Sequence, residues 1–228
     1  MRIPGFMLIG TVLLSAIACG NVNHPITIED GQQVEGSQST VNGAIRVGNE
    51  ARVEGNLETV NGAVEIGEDS HVGRVETVNG RITLGAGSSA ESLGNVNGSI
   101  VIEAEARVSG DVRGTSGSIT LASGSQVDGA VSTTSGLIRL DGARAGSVRN
   151  VSGGMELLND CRVDGELRVG SVDRERARVP EVIIGEGCRV EGPLVFERDV
   201  RLRVHESAQI GEVRGASVEP LESGGSAD

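Results

Sequence analysis

The sequence predicts an all-β chain folded as a single-stranded, three-sided parallel β-helix of about ten turns of 17–19 residues each, on three grounds. A triplet recurs seven times: Val41-Asn42-Gly43, Val60-Asn61-Gly62, Val78-Asn79-Gly80, Val96-Asn97-Gly98, Thr115-Ser116-Gly117, Thr134-Ser135-Gly136 and Val151-Ser152-Gly153, at separations of 19, 18, 18, 19, 19 and 17 residues. That period is too short for a helical repeat or a propeller blade and fits one turn of a solenoid. An apolar-x-apolar pair follows each triplet, and the alternation of period two sets both members on one strand face. Finally, the chain has 35 Gly and only two Phe as aromatics, so small branched side chains rather than rings must fill its interior.

The elements follow in order. Met1 to Cys19 place one cation, Arg2, before an apolar run from Phe6 to Ile17 that is too short to span a bilayer as a mature helix, which predicts a signal peptide over 1–18. A tether over 19–25 leads into the solenoid, expected over 26–218, with turns opening at Ile26, Ile45, Val64, Ile82, Ile100, Ile119, Ile138, Met155, Val182 and Leu202. Further apolar positions at about six-residue intervals, such as Ala51/Val53 and Leu57/Thr59, give each turn three short strands. Nine steps at a strand spacing of about 4.8 Å make a rod about 45 Å long. The 27 residues from Met155 to Val182 require an insertion, placed at 172–181, where Arg174, Glu175, Arg176, Arg178 and Pro180 suit a solvated loop. Residues 219–228 read as a flexible tail.

Glycines mark the corners, with Gly43, Gly62, Gly80, Gly98, Gly117, Gly136 and Gly153 at the first. Beside them Asn42, Asn61, Asn79 and Asn97, continued by Ser116, Ser135 and Ser152, are expected to stack as a structural polar ladder that satisfies corner amides. Cys161 and Cys188 occupy the same strand position of consecutive turns, within the reach of a disulfide. The spacing is equally compatible with two buried reduced thiols.

Composition narrows the function. The formal charge of −12 becomes −13 once Arg2 leaves with the leader, and the chain has no Lys, so nucleic acid is not an expected partner of the folded body. His24, His71 and His205 do not share a metal-ligand spacing, and neither a nucleophile elbow nor a phosphate loop is present. No cofactor, metal site or catalytic residue is expected. Acidic residues such as Glu50, Glu54, Glu58, Glu65, Glu68 and Asp69 scatter outward and suit solubility.

Three resemblances add expectations. Ala16-Ile17-Ala18-Cys19 resembles the lipobox of bacterial lipoproteins, with Ala16 where those carry Leu. It implies lipidation of Cys19 and anchorage of the rod by acyl chains, each worth about 0.8 kcal/mol per buried methylene. No Asp follows Cys19, which in that resemblance implies the outer membrane of a bacterial envelope. The Val-Asn-Gly-x-Ile-x-Val turns over 26–170 resemble the head GIN domain, a family of adhesin-type repetitive β-helices. Val182-Ile183-Ile184-Gly185-Glu186-Gly187-Cys188-Arg189-Val190-Glu191-Gly192 is similar to bactofilins, β-helical proteins that form polymers. The head GIN resemblance, with the general hand of parallel crossovers, implies a right-handed coil. The expected role is a non-catalytic, lipid-anchored envelope rod that scaffolds or binds an envelope protein or glycan. Bactofilin-like polymerisation and polysaccharide binding or modification are the alternatives.

Overall fold

In a computed structural model, residues 14–15, 23–171 and 178–221 are described. Cys19, the leader apart from Leu14 and Ser15, most of the tether, the first six residues of the insertion and the last seven residues lie outside the described residues. The chain forms a β-solenoid of about ten turns, with parallel strands throughout and no helix among the described residues.

The first wall is an 11-stranded parallel sheet. Its strands include all ten expected turn starts in register, eight of them as the first strand residue and Val182 and Leu202 as the second, and an eleventh strand, Val218–Pro220, pairs with Leu202–Val204. The first two residues of the expected tail, Glu219 and Pro220, are thus in a strand. Glu181 likewise opens the strand Glu181–Ile184 rather than ending the insertion.

Register is strict. Ile45 lies opposite Val64, Val64 opposite Ile82, Ile82 opposite Ile100 and Ile100 opposite Ile119. All five are fully or almost fully buried, because alternation turns every second residue inward and each column continues into the next turn. The third wall contributes Leu57, Val75, Leu93, Val112, Val131, Val148 and Leu167 to the same core. At about 25 cal/mol per Å² of apolar surface, these columns are the main source of stability, since among the described residues no aromatic ring is fully buried.

The second and third walls differ from the expected separate short strands. They form one 17-stranded sheet, because His71–Asn79 and Ser89–Asn97 each run through the corner between the walls. The ladder persists there, with Ser92 opposite Arg74 and Leu93 opposite Val75. The bend is spread over several residues instead of breaking the strand.

The first corner is tight. A Cβ on Gly62 would stand 2.0 Å from the Gly43 carbonyl oxygen, and one on Gly117 would stand 1.8 Å from the Gly98 oxygen, at a φ of +131°. Both neighbours are backbone and cannot move aside without opening the ladder. At the bend between the first and second walls, the left-handed position falls to Glu50, Asp69, Gly87, Glu105 and Gly124 in successive turns. Glutamate pays about 1–2 kcal/mol in that conformation, whereas glycine does not. Replacing Glu105 with glycine is therefore expected to stabilise the fold by about 1 kcal/mol. A denaturation midpoint at or below that of the parent would refute this.

At the amino-terminal end, Leu14–Ser15 pairs in parallel with Val34 and Glu35 of the first turn. At the other end the core thins: Val204, Ala208, Ile210, Val213 and Ala216 are only partly buried.

Candidate functional site

Two polar columns flank the first corner, one outside and one inside. Outside, the Asn42 side-chain amide donates to Asn23 Oδ1 at 2.8 Å, Asn61 to Asn42 at 2.8 Å, Asn79 to Asn61 at 2.9 Å and Asn97 to Asn79 at 3.0 Å. The amide ladder thus starts at Asn23, one turn earlier than the triplets indicate, where His24 stands in place of the glycine. It does not serve the corner amides. Those are met by backbone, with Gly62 N donating to Asn79 O and Gly80 N to Asn97 O. Beyond Asn97 the serines continue the column differently: Ser116 and Ser135 form a parallel bridge, and Ser152 Oγ donates to Thr134 O at 2.9 Å.

The inside column satisfies the corner carbonyls. Thr40 Oγ1 donates to His24 O, Thr59 to Gly43 O, Thr77 to Gly62 O, and the Asn95 amide to Gly80 O at 2.6 Å. These residues are buried, and a buried carbonyl without a donor would cost about 1–3 kcal/mol. Asn150 repeats the device on Gly136 O. Sequence reasoning placed Thr59 inward but missed this role for the column.

Alternation from Thr59 then sends the first residue of each triplet outward. Val41, Val60, Val78 and Val96 are 39%, 39%, 38% and 42% exposed and stack in register as an apolar stripe. Beside the stripe runs a second outward column, Ser39, Glu58, Glu76, Gly94 and Arg113. Between the two columns lies an open groove of about 560 Å³ that crosses five turns and is also lined by Thr59, Thr77, Asn95, Gly114 and Thr115. Parallel counting from Leu57 along each turn predicts these exposed valines; the triplet had suggested only a corner signature. A second recess of about 580 Å³ lies under Arg178 to Glu181, bordering the insertion.

The groove is electrically uneven. Glu58 and Glu76 are register neighbours in its amino-terminal half, and Arg113 lies at its far end. Arg74 Nη1 approaches Glu76 Oε1 at 3.7 Å, and Arg113 is paired with Asp111. Under the groove, Asn95 is 6% exposed and its Oδ1 accepts no hydrogen bond from a described residue. Gly114 lies opposite Asn95 in the next turn, so no threonine side chain fills the column there.

The remaining sequence candidates stand apart from the groove. Cys161 and Cys188 are buried free thiols in a column of small residues with Ala143 and Ala208, their sulfurs 3.0 Å apart. Donation to Cys188, reinforced by burial, holds the Cys161 thiol well above its ordinary value. Accepting that bond favours the thiolate of Cys188 and draws its pKa down. Mild oxidation is expected to join the two, each sulfur losing its hydrogen to the oxidant, so that the intact mass falls by two hydrogens. Two thiols still open to alkylation after oxidation and unfolding would contradict this. His71 Nδ1 lies 2.8 Å from Ser89 Oγ on the second wall, and His205 Nδ1 2.9 Å from Ser207 Oγ near the last turn. Among the described residues, no group of three or more His, Cys, Asp or Glu could hold a metal ion.

The salt bridges on the outer walls are exposed. Arg162 pairs with Asp164 at 2.7 Å and with Glu191 at 2.7 Å, and Arg46 with Glu65 at 3.1 Å. Such pairs contribute about 0–1 kcal/mol each and serve the solvated surface rather than chemistry. Comparison with known proteins found no matching family, no similar curated protein and no similar solved structure.

Proposed function

We propose that this protein is a non-catalytic rod, anchored in a bacterial envelope through a lipid on Cys19, whose third wall binds a partner. The observation that carries this reading is the stripe Val41, Val60, Val78 and Val96, exposed and in register along one groove. Four aligned β-branched residues left in water are costly, and a contiguous apolar strip of this kind marks an interaction surface. A rigid ladder presents it at low entropic cost, since the backbone of each rung is already ordered. Adhesion to an envelope protein or glycan is the role consistent with both the sequence resemblance and this surface.

The test is retention of the intact, lipidated protein in its own envelope after washing and lipase treatment, with and without the double change Val60→Arg and Val78→Arg. The double variant is expected to lose retention while its far-ultraviolet circular dichroism stays unchanged. Equal retention would remove the wall as the contact surface.

Polymerisation is a second reading, favoured by the carboxyl-terminal end, where Val204, Ala208, Ile210 and Val213 are only partly buried and the first wall ends in the short strand Val218–Pro220. A sheet end of this kind can accept another strand, although Pro220 lacks an amide hydrogen to donate. Sedimentation over a concentration series separates the two readings. Filaments that grow with concentration support polymerisation, and a single monomeric species supports the binding rod.

A further inference from the structure

We infer that Cys161 and Cys188 are a redox latch: a low-molecular-weight disulfide, entering from the carboxyl-terminal end of the rod, joins them and fastens together the two turns that flank the insertion. The latch lies behind the second wall and is independent of the binding wall.

Its place in the fold is the first ground. From Ala51 to Ala208 the inward column that holds the pair has nine residues, one per turn, and apart from the two cysteines all are alanine or serine. Packing there asks only for a small side chain, and a thiol adds reactivity that packing does not need. Every other step along the column takes 18 to 20 residues, whereas the step between the cysteines takes 27. The thiols thus meet at the one step where the chain leaves the ladder for longest. Arg162 faces Arg189 in register, which sets the Cα atoms of the preceding cysteines about 4.8 Å apart, inside the range a disulfide spans.

The second ground is access. Both thiols are buried, Cys161 1% and Cys188 0% exposed, so an oxidant reaches them only when a turn lifts. Six rungs of the column, Ala51 to Ala143, cover them toward the amino-terminal end, and one, Ala208, covers them toward the other. That last turn is weakly held. Ile210 and Val213 are partly buried, and the second-wall strand is the two-residue Gln209–Ile210, tied by Gln209 N to Cys188 O and Gly211 N to Val190 O, each at 2.9 Å. Thin terminal elements of this kind open most readily. Lifting it bares Cys188 and leaves Cys161 one rung deeper.

The order of reaction follows. Accepting the Cys161 hydrogen bond favours the Cys188 thiolate. With its proton lost to solvent, Cys188 attacks one sulfur of the oxidant and forms a mixed disulfide; the oxidant's S–S bond breaks, and the departing thiolate takes up a proton. The bond that held the proton on Cys161 is then gone. Cys161 loses that proton to solvent, attacks the Cys188 sulfur and expels the second thiolate, which is protonated in turn. Two protein thiols are oxidised, and one disulfide is reduced to two thiols.

The test uses reduced, full-length protein in detergent with glutathione disulfide as the oxidant. Peptide mass spectrometry is expected to find Cys161 joined to Cys188, and a glutathione adduct on Cys188 in Cys161→Ala. The adduct on Cys161 in Cys188→Ala is expected to form about tenfold more slowly or less. Gln209→Pro, which removes the ladder bond to Cys188 O, is expected to speed closure of the pair about tenfold, and Ile210→Ala, which thins the last turn without touching the ladder, about threefold or more. Arg52→Pro, which removes the bond to Gln32 O at the opposite end, is expected to leave the rate unchanged. In the oxidised protein, exchange of the Gly185, Arg189 and Glu191 amides, which bond back to the turn of Cys161, is expected to slow about tenfold or more, while Gln209 and Gly211 keep their rates. Absence of the linked peptide, equal adduct rates at the two cysteines, or unchanged exchange at Arg189 overturns the proposal. A closure rate indifferent to both Gln209→Pro and Ile210→Ala, or raised equally by Arg52→Pro, overturns entry through the last turn.

Discussion

Gly117→Ala is expected to destabilise the solenoid by about 3 kcal/mol or more, among the largest effects available to a single methyl group. Two costs add at this position. The φ of +131° lies outside the range of an L-residue, and the new Cβ would stand 1.8 Å from the Gly98 carbonyl oxygen of the preceding turn. That oxygen belongs to backbone held by ladders on both sides, so relief requires lifting one turn off the next. Gly31→Ala is the matched control. Its φ is +67° and no atom lies within 4 Å of the added Cβ, leaving only the left-handed penalty of about 1 kcal/mol. Urea denaturation followed by far-ultraviolet circular dichroism compares them, since the chain has neither Trp nor Tyr to report by fluorescence. Similar midpoints for the two variants would mean that the corner is not closed by a backbone contact.

Ile100→Ala is the second large expectation, a loss of about 2–5 kcal/mol. Ile100 is 1% exposed, with Ile82 and Ile119 directly above and below it in the column. Neither neighbour can fill the gap without leaving its own rung, because the ladder fixes rung spacing. The adjacent Val101 faces outward on the same strand, and Val101→Ala is expected to change stability by less than about 1 kcal/mol. A reversal of the two effects would place the strand one residue out of register.

Much of the fold was legible because a solenoid repeats its physics every turn. The ten turn starts could be read from Ile26 to Leu202, since each inward pair must stack on the one before it. What the repeat could not reveal lies where neighbouring turns interact through unlike residues. Asn23 escaped notice because His24 replaces the glycine that flags the other triplets, yet the amide ladder begins there. The continuous strands through the second corner were missed because a glycine such as Gly73 reads as a stop, whereas here it removes a Cβ that would meet Gly55 O at 2.6 Å.

The candidate groove was harder to read for a related reason. The valine of each triplet looked like part of a corner signature, and only its position three strand residues beyond Leu57, Val75 and Leu93 and one beyond the inward Thr59, Thr77 and Asn95 turns it outward. The gap at Gly114 depends on the comparison of Asn95 with Asn150, two residues of one type whose Oδ1 atoms meet different surroundings. Composition gives no sign of such a difference.

The most direct measurement is a photo-cross-linking scan in the native envelope, with a photoreactive residue placed singly at Val60 and Val78 on the groove, at Thr83 on the first wall and at His71 on the second. The account predicts one discrete cross-linked partner from Val60 and Val78 and none from Thr83 or His71. Partners captured equally from all three walls, or from Thr83 and His71 alone, would contradict it.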